Sequence, residues 1–398
     1  MKIGLIHERK NPPDNRVPLT PKQAAEFKKR FPNVDLVVEA SPSRCFADAE
    51  YENLGVKVQS DMSDCDALLG VKEVPVDALI PDKTYMFFSH TIKAQVYNRK
   101  LLQAVLRHRI TLIDYEVINW EDGQRVLGFG HWAGIVGAYN GLLTYGLKTG
   151  DFDLKPAFKC VDFDEMIEQG LSVLLKPIKI VISGTGRVGK GSLEVMERLN
   201  IRQVSPEDFL NMTFYEAVFT HLGNEDIFGR KDKKEWDSNH FYANHNEYES
   251  IFEPFTKVTD LFIHGIYWEN DMPQLFKKED TALKDFRIKV IADITCDIDG
   301  SIPITFQDTS IADPIIYWDV NSQTPTKKSS SSTIDIMAVG NLPNELPKDA
   351  SNTFGEKMLE HCLPALVNGG ESVLTNGTMT KNGELTERYK YLQDFVNG

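Results

Sequence analysis

The sequence has few cysteines, and their spacing is not typical of a disulfide framework or a metal site. Five cysteines are scattered along its 398 residues: Cys45, Cys65, Cys160, Cys296 and Cys362. An odd number without a Cys-x-x-Cys pair indicates reduced thiols. The histidines between Asn239 and His245 also lack metal-ligand spacing, so the sequence predicts no metal site.

Basic charge and long apolar runs are also scarce. The chain carries 44 Lys and Arg against 58 Asp and Glu, a formal net charge of −14. This balance argues against a dominant surface for nucleic acid or anionic membrane. No apolar run has the length of a membrane span, and the N-terminal residues 1–6 lead directly into a predicted strand rather than a targeting segment. We therefore expect no nucleic-acid partner, no membrane partner and a cytoplasmic location.

The sequence does contain an alternation of short β-branched runs and helical segments. The predicted strands are 2–6, 34–39, 67–71, 85–88, 110–113, 261–265, 290–295, 315–318 and 334–339. The predicted helices are 20–30, 95–108, 133–148, 346–366 and 385–396, the first capped by Thr20 and Pro21. We expect 133–148 to link two domains, 224–246 to be an irregular surface excursion and 321–333 to be a mobile loop. The alternation predicts an α/β fold with mainly parallel sheets.

A glycine-rich turn follows the β-branched run 178–183, and a helix-compatible segment, 192–199, follows the turn. Strand, glycine turn and helix in this order favour a dinucleotide, whose pyrophosphate would lie at the helix N-terminus. The alternative is an ordinary glycine-rich turn between a strand and a helix. The expected cofactor-binding residues are Gly184, Thr185, Gly186, Arg187, Val188 and Gly189.

The late position of the glycine turn indicates the domain organisation. A first α/β domain must precede the strand at residue 178, and the chain after residue 340 returns most simply to that domain. We therefore expect two Rossmann-like lobes with parallel sheets, the nucleotide-binding lobe being inserted into a discontinuous first lobe. The expected boundaries are 1–131 plus 340–398 for the first lobe and 132–339 for the second. A cleft between two lobes is a common place for a pocket.

Polar residues near predicted strand ends are the candidates for chemistry. They are Arg16, Lys72, Glu73, His90, Lys93 and Glu116. Residues just past the carboxyl ends of parallel strands line the ligand crevice, and Lys72 and His90 hold that position. They form a plausible acid–base pair, against the alternatives of a surface lysine in a salt bridge and a buried structural histidine.

Four neighbouring charges have supporting roles in this hypothesis. Glu73 and Glu116 are expected to tune the acid–base pair. Arg16 and Lys93 are expected to hold a substrate carboxylate, Arg16 through its two-pronged guanidinium group.

The cofactor preference depends on the second strand of the nucleotide lobe, which we expect at 200–205. An acidic residue at its end would bind the ribose hydroxyls of NAD, but none occurs before Glu207. Arg202, or Arg230 with Lys231, is available for a 2′-phosphate. The sequence therefore favours NADPH, with NAD possible; the alternative for Arg202 is a solvated residue at the edge of a strand.

Several stretches resemble the alanine dehydrogenase, transhydrogenase and saccharopine dehydrogenase superfamily. They are RVPLTP at 16–21, GVKE at 70–73, FFSHTIKAQ at 87–95 and the glycine turn. Others resemble the lysine-ketoglutarate reductase branch of that superfamily: LIDYE at 112–116, GFGHWAGIVGA at 128–138, GIYWE at 265–269, NLPNELP at 341–347 and ERYKYLQ at 387–393. The resemblance covers nearly the whole chain, and FFSHTIKAQ and GIYWE are its most specific parts.

The resemblance implies reversible reduction of a C=N bond by a nicotinamide cofactor. Lysine and 2-oxoglutarate would be joined to form saccharopine, with Lys72 and His90 as the acid–base pair. The resemblance also implies the roles given above to Arg16, Lys93, Glu73 and Glu116, and a possible homo-oligomer. Ile266, Asn341 and Leu342 join the expected cofactor-binding residues.

One departure from the family pattern keeps other functions open. Related enzymes usually carry Asp before the Asn-Leu-Pro triplet, and Gly340 stands there. The alternatives are an NAD-dependent saccharopine dehydrogenase, an alanine dehydrogenase, and a nucleotide-binding regulatory homologue without catalysis. Retention of both Lys72 and His90 argues against the last.

Overall fold

The computed structural model describes residues 1–370 and 372–398 and forms two compact units. Unit 1 consists of Met1–Phe129 and Pro347–Gly398, and unit 2 of Gly130–Leu346. Both units are α/β, which confirms the predicted fold class. The second boundary lies at 346/347 instead of 339/340, because the turn Leu342–Glu345 packs on the first helix of unit 2. No helix among the described residues is long and apolar enough to span a membrane.

Unit 1 contains a six-stranded sheet in the order β3-β2-β1-β4-β5-β6. Its elements before unit 2 are β1 (Lys2–Leu5), α1 (Pro21–Arg30), β2 (Asp35–Glu39), α2 (Asp48–Glu52), β3 (Lys57–Gln59), β4 (Ala67–Leu69), β5 (Thr84–Phe87), α3 (Arg99–Arg107) and β6 (Thr111–Asp114). All five strand pairs are parallel. The carboxyl ends of the strands therefore lie at one edge, where the loops that follow them gather.

Unit 2 contains an eight-stranded sheet in the order β15-β14-β16-β13-β12-β7-β9-β8. Its elements are α4 (Gly130–Thr149), α5 (Phe163–Leu171), β7 (Lys179–Ser183), α6 (Arg187–Arg198), β8 (Arg202–Gln203), α7 (Pro206–Asn211), β9 (Val218–Leu222), α8 (Asn224–Ile227), β10 (Phe228–Arg230), α9 (Ser238–Ala243), β11 (Tyr248–Ser250), α10 (Glu253–Thr256), β12 (Leu261–His264), β13 (Val290–Asp293), β14 (Ile315–Asp319), β15 (Thr324–Thr326) and β16 (Thr333–Met337). β14 runs antiparallel to β16 and to β15, and the other pairs are parallel.

Three sequence predictions for unit 2 need correction. The helix predicted at 133–148 belongs wholly to unit 2 and does not link the units. The segment 224–246 is not irregular, because it contains α8, β10 and α9. The segment 321–333 contains β15, which pairs with β14.

The chain returns to unit 1 through a series of short elements. They are α11 (Pro347–Lys357), a π-helical turn (Met358–Cys362), α12 (Leu363–Asn368), α13 (Val373–Gly377), β17 (Thr380–Lys381), β18 (Glu384–Leu385) and α14 (Gln393–Asn397). The single helix predicted at 346–366 is interrupted because Pro364 cannot donate to the preceding turn. The helix predicted at 385–396 begins late, since Asn382 and Gly383 adopt positive φ angles of 55° and 85° and turn β17 into β18.

The start of α1 agrees with its predicted cap. Thr20 Oγ1 accepts from the Gln23 N–H at 3.3 Å, and Gln23 Oε1 accepts from the Thr20 N–H at 3.0 Å. The Gln23 amide also donates to the Asn352 carbonyl at 2.7 Å, which joins α1 to α11. The cap therefore fixes both the entry of α1 and its place in unit 1.

Glycines allow α4 and α6 to pack in direct backbone contact. A Cβ atom at position 134 would lie 1.9 Å from the Val188 carbonyl oxygen, and one at 191 would lie 2.0 Å from the His131 carbonyl oxygen. Ser192 Oγ donates to the Gly134 carbonyl at 3.1 Å across the same contact. α6 starts at the glycine turn, so this contact also positions that turn.

We predict that Gly134→Ala will destabilise unit 2 by about 2 kcal/mol or more, because the helices must separate to admit a methyl group. Chemical denaturation would measure the loss. The control is Gly340→Ala, where a Cβ would meet nothing closer than 3.7 Å. Equal free energies of unfolding for the two variants would contradict the packing argument.

Candidate functional site

The carboxyl edge of the unit 1 sheet collects the candidate residues. The neighbouring strands β1, β4, β5 and β6 are followed respectively by Glu8, by Lys72 with Glu73, by His90 and by Glu116. Adjacent parallel strands bring residues that are far apart in sequence to one edge. The contacts among these side chains show which of them form a cluster.

His90 lies between two carboxylates. Its Nδ1 is 3.4 Å from Glu116 Oε2, and its Nε2 is 3.8 Å from Glu73 Oε1. The backbone of His90 is left-handed, with φ 53°, and its carbonyl accepts from Asn98 Nδ2 at 3.1 Å. The Phe88 ring stacks at 6.2 Å between centroids. Two oppositely placed carboxylates can orient the imidazole ring.

The two carboxylates carry cationic partners on their outer sides. Lys10 Nζ lies 2.9 Å from Glu73 Oε2, and an Arg125 NH2 group lies 3.2 Å from Glu116 Oε1. Burial raises the pKa of Glu116, but the hydrogen bond from His90 and the Arg125 charge outweigh it, so its pKa is below the ordinary value. Glu116 is therefore ionised at neutral pH.

Lys72 sits on a loop that Glu8 holds in place. The Glu8 carboxylate accepts the N–H groups of Val71 at 2.6 Å and of Lys72 at 2.9 Å. Burial, followed by the nearby Arg16 charge, lowers the pKa of Lys72 below its ordinary value. Burial and the neighbouring Asp14 raise the pKa of Glu8 to about 8 despite the two donors. A lysine that gives up its proton more easily suits acid–base chemistry.

Arg16 is buried and oriented by Asp14. Its Nε lies 2.9 Å from Asp14 Oδ1, and one NH2 group lies 2.5 Å from Asp14 Oδ2. The guanidinium carbon stands 4.2 Å from the centroid of the Phe129 ring. A paired and stacked arginine has a fixed orientation.

Asp114 positions both sides of the histidine cluster. This buried carboxylate ends β6 and accepts the Ser89 N–H at 3.2 Å, the Ser89 hydroxyl and the Glu116 N–H at 2.8 Å. Burial raises its pKa to about 6. Asp114 thereby fixes the turn that carries His90 and the turn that carries Glu116.

The structure therefore brings together Glu73, His90 and Glu116, with Lys72 adjacent in the chain to Glu73. Lys93 is exposed at the end of the turn Thr91–Lys93, and its charge helps to lower the pKa of Glu116. Sequence reasoning missed the roles of Glu8, Lys10, Asp14, Asp114 and Arg125. Glu8 and Asp114 could have been found from their positions at strand ends. No sequence signal pointed to Lys10, Arg125 or Asp14.

In unit 2 the glycine turn has the geometry of a phosphate-binding loop. Gly184 has φ 96°, and a Cβ there would lie 2.6 Å from the Gly265 carbonyl oxygen. A Cβ at 189 would lie 1.5 Å from the Gly184 carbonyl oxygen, whereas one at 186 would meet nothing within 4 Å. Thr185, Gly186 and Arg187 are exposed at the start of α6. Two glycines are required by packing, and Gly186 leaves space for a ligand, so the residues fit a dinucleotide.

The strand ends beside the glycine turn are rigid and buried. His264 connects Ser183 Oγ, 2.9 Å from its Nδ1, with Ser301 Oγ, 2.6 Å from its Nε2. Burial lowers the pKa of His264 to about 3, so the ring is neutral. At the end of β13, Asp293 accepts from Thr295, from Thr305 and from the Cys296 N–H.

The other expected cofactor residues of unit 2 have different environments. Ile266 lies two residues beyond the end of β12 and is buried. Leu342 is also buried, 3.3 Å from the Cβ position of Gly137 on α4. Asn341 precedes the turn Leu342–Glu345. At Gly340 the nearest atoms to a Cβ would be Asp308 Oδ2 at 3.7 Å and Cys296 Sγ at 4.0 Å, so packing does not force a glycine there.

The structure does not bring Arg202 to the glycine turn. β7 lies between β12 and β9, so the strand expected at 200–205 is not its neighbour. The two-residue β8 pairs on the far side of β9. Arg202 is level with Val218 and thus with Lys179 at the start of β7, roughly 16 Å along the strand from Gly184. It forms an exposed ion pair with Glu216 at 3.1 Å.

The strand end beside the glycine turn carries acidic residues instead. β9 ends at Leu222, and Gly223 leads into α8, where Asp226 accepts the Gly223 N–H at 2.8 Å. The exposed Glu225 carboxylate lies 2.5 Å from the position of a Cβ on Gly223. Its place corresponds to that of the ribose-binding acid in NAD-binding folds.

A three-residue group in unit 2 has the composition of a weak metal site. His245, Glu269 and Asp271 offer ligand atoms within 4.8 Å of one another. His245 Nδ1 lies 3.1 Å from Asp271 Oδ1, and both carboxylates are exposed. An ordinary His–Asp pair accounts for this contact.

Comparison with known proteins shows what the chain resembles. Residues 4–136 match the family described as alanine dehydrogenase/PNT, N-terminal domain. The alpha-aminoadipic semialdehyde synthase of Arabidopsis thaliana is 30% identical over 98% of this chain and 41% of that protein. The chain is similar to that synthase along almost its whole length. It spans less than half the length of the synthases it matches.

Two other similarities concern length and fold. The saccharopine dehydrogenase [NAD(+), L-lysine-forming] of Neurospora crassa is 24% identical over 88% of this chain and 87% of that protein. A solved L-alanine dehydrogenase covers 100% of both chains at 19% identity, with a TM-score of 0.66. The similarity to L-alanine dehydrogenase supports the α/β fold of the chain.

We predict that replacing Asp114 by Asn will cost more stability at low pH than at high pH. Because the folded-state pKa of Asp114 is raised to about 6 from 3.8, its protonated form stabilises the fold below that range. This contribution is lost as the pH rises through 6.

Chemical denaturation at pH 4.5 and 7.5 would measure the free energy of unfolding of wild type and of Asp114→Asn. The difference between the two proteins should be smaller at pH 7.5 than at pH 4.5 by an amount on the order of 2 kcal/mol. Asp82→Asn, at an exposed position before β5, is the control. A difference independent of pH would contradict the role assigned to burial.

Proposed function

We propose that this chain is an NAD(P)-dependent oxidoreductase acting on a C–N bond, and that it joins lysine and 2-oxoglutarate to form saccharopine. The observation that carries the proposal is the histidine held between Glu73 and Glu116, with Lys72, whose pKa is lowered, next to Glu73 in the chain. Homology to the synthases along 98% of the chain and the dinucleotide-type glycine turn support it.

The chemistry begins with attack of the lysine ε-amine on the keto carbon of 2-oxoglutarate, which forms a carbinolamine. Loss of water from the carbinolamine gives an imine. A nicotinamide cofactor held at the glycine turn would supply the hydride that reduces the imine carbon, and a proton added to the nitrogen would complete saccharopine. Lys72 and His90 move the protons that these steps release and consume.

The remaining charges of the site bind and orient. Arg16, fixed by Asp14, and the exposed Lys93 are proposed to hold substrate carboxylates. Glu73 and Glu116 keep the His90 ring oriented. Glu8 keeps the Lys72 loop in place through two backbone hydrogen bonds.

The position of Glu225 supports NAD(H) as the preferred cofactor. A carboxylate accepts hydrogen bonds from the ribose hydroxyls of NAD and repels the 2′-phosphate of NADP. The argument for NADPH depended on Arg202, or on Arg230 with Lys231. Arg202 lies at the opposite edge of the sheet and is paired with Glu216. Arg230 is paired with Asp232, and Lys231 donates to the Asn246 carbonyl at 2.8 Å.

A second candidate function is the reverse reaction, NAD-dependent oxidation of saccharopine to lysine. The acidic end of β9 favours it, since it suits NAD. The similar length of the fungal relatives named for that reaction also favours it. Lys72 and His90 would carry the same protons, with each step of the reaction running in reverse.

We predict that Lys72→Met and His90→Gln will each lower kcat by roughly 10²-fold or more, because each removes one proton carrier. The assay follows reduced-nicotinamide absorbance with lysine and 2-oxoglutarate, and in the other direction with saccharopine. The controls are Lys83→Met and His108→Gln, from the same unit but outside the cluster.

Wild-type turnover together with unchanged rates in both site variants would reject the acid–base assignment. Absence of turnover in either direction, and with pyruvate and ammonia, would favour a nucleotide-binding homologue without catalysis.

We predict that Glu225→Ala will reduce the preference for NADH over NADPH by about tenfold or more, because it removes both the ribose contact and the repulsion of the phosphate. Arg202→Ala should leave the ratio unchanged. The measurement is the dissociation constant of each cofactor, by fluorescence titration. The opposite pattern, a change in the ratio with Arg202→Ala alone, would restore the NADPH argument.

A further inference from the structure

Unit 2 contains a cavity of about 380 Å³ away from its glycine turn. One wall is a face of α4 with Asn140, Leu143 and Leu147, and other walls include Phe158 and Tyr317. This volume is within the range of small-molecule sites. The walls are mainly apolar, as such sites usually are.

Glu345 supplies the one buried carboxyl group of this cavity. The residue is 3% exposed, and its Oε1 accepts from Asn140 Nδ2 at 2.8 Å. The Phe158 N–H is a second donor to this carboxyl group. Both donors are neutral, so they hold the group in position without balancing its charge.

The nearest cations do not neutralise Glu345. In the part of the chain that the structure describes, no Lys, Arg or His side chain lies within 4.0 Å of its carboxylate. The Lys159 ammonium group stands over the Phe158 ring, 5.7 Å from its centroid. Lys148 is committed to Asp335 at 3.0 Å. Asp313, also in the lining, adds a second negative charge.

A lone buried carboxylate requires a proton or a cation. We propose that this cavity binds a small organic cation with an apolar body, such as an alkylammonium ion, whose ammonium group pairs with Glu345. The apolar body lies against Leu143 and Leu147, and the aromatic ring of Tyr317 favours a positive charge. This site is separate from the proposed reaction and does not rest on it.

Binding of the cation depends on pH through Glu345. Burial raises the pKa of Glu345 to about 7, so the group is protonated below neutral pH and charged above it. The other titratable groups at the cavity are Lys159, Asp313 and Tyr317, and burial raises the pKa of Tyr317 and of the neighbouring Cys160. Affinity for the cation therefore rises as the pH increases from 6 to 8.

Calorimetric titration of the full chain with n-pentylamine and with 1-pentanol tests the proposal. The alcohol has the same apolar body without the charge. We expect the amine to bind at pH 8, about tenfold more weakly at pH 6, and the alcohol to bind equally at both values. Glu345→Gln keeps the shape and should weaken the amine at least about tenfold while sparing the alcohol.

Three further variants complete the test. Leu147→Trp narrows the half-exposed mouth and should weaken both ligands, which keeps the proposal testable if Glu345→Gln fails to fold. Glu216→Gln, on the far sheet edge, should change neither. Glu73→Gln should also leave the binding of both ligands unchanged. If Glu73→Gln abolishes amine binding and Glu345→Gln does not, the amine binds in unit 1 and the proposal is overturned. Amine binding that survives Glu345→Gln, or no amine binding at pH 8, would also overturn it.

Discussion

Backbone N–H groups at the carboxyl ends of parallel strands need acceptors, and buried carboxylates supply them in both units. Glu8 accepts from the loop after β4, Glu39 from the loop after β1, Asp114 from the loops after β5 and β6, and Asp293 from its own loop. An unsatisfied buried donor is costly, and a carboxylate can accept from several donors. The candidate site depends on these hydrogen bonds. Glu8 holds the loop that carries Lys72, and Asp114 holds the loops that carry His90 and Glu116.

Charge at the unit 1 site is distributed so that the histidine stays between two anions. Glu73 and Glu116 both face His90, and each has a cation on its other side. Without those cations, the two carboxylates would repel each other across the ring. The outer Lys10 and Arg125 thus matter to the ring although they do not touch it.

Local sequence signals predicted much of the fold. Thr20 and Pro21 define the start of α1, and the β-branched runs define the main strands. The order of strand, glycine turn and helix from β7 to α6 was also predicted, but α6 begins at Arg187 and not at 192. What failed depended on contacts distant in sequence. The run 200–205 resembles a second strand, but only the pairing of β9 with β7 shows that another strand takes that place. The same holds for the candidate site. The strand-end rule identified Lys72 and His90, but no local pattern relates Lys10 to Glu73, or Glu8 to the loop that carries Lys72.

The insertion of one unit into the other has a consequence for synthesis. The core of unit 1 joins residues from its first segment, such as Leu5 and Phe27, with Phe354 and Met358 from its last. The Met379 N–H pairs with the Leu112 carbonyl at 2.8 Å, beside β6. A ribosome therefore completes all of unit 2, a contiguous segment, before the first unit has its full core. Unit 2 can fold during translation, whereas the first 129 residues must wait with apolar surface uncovered.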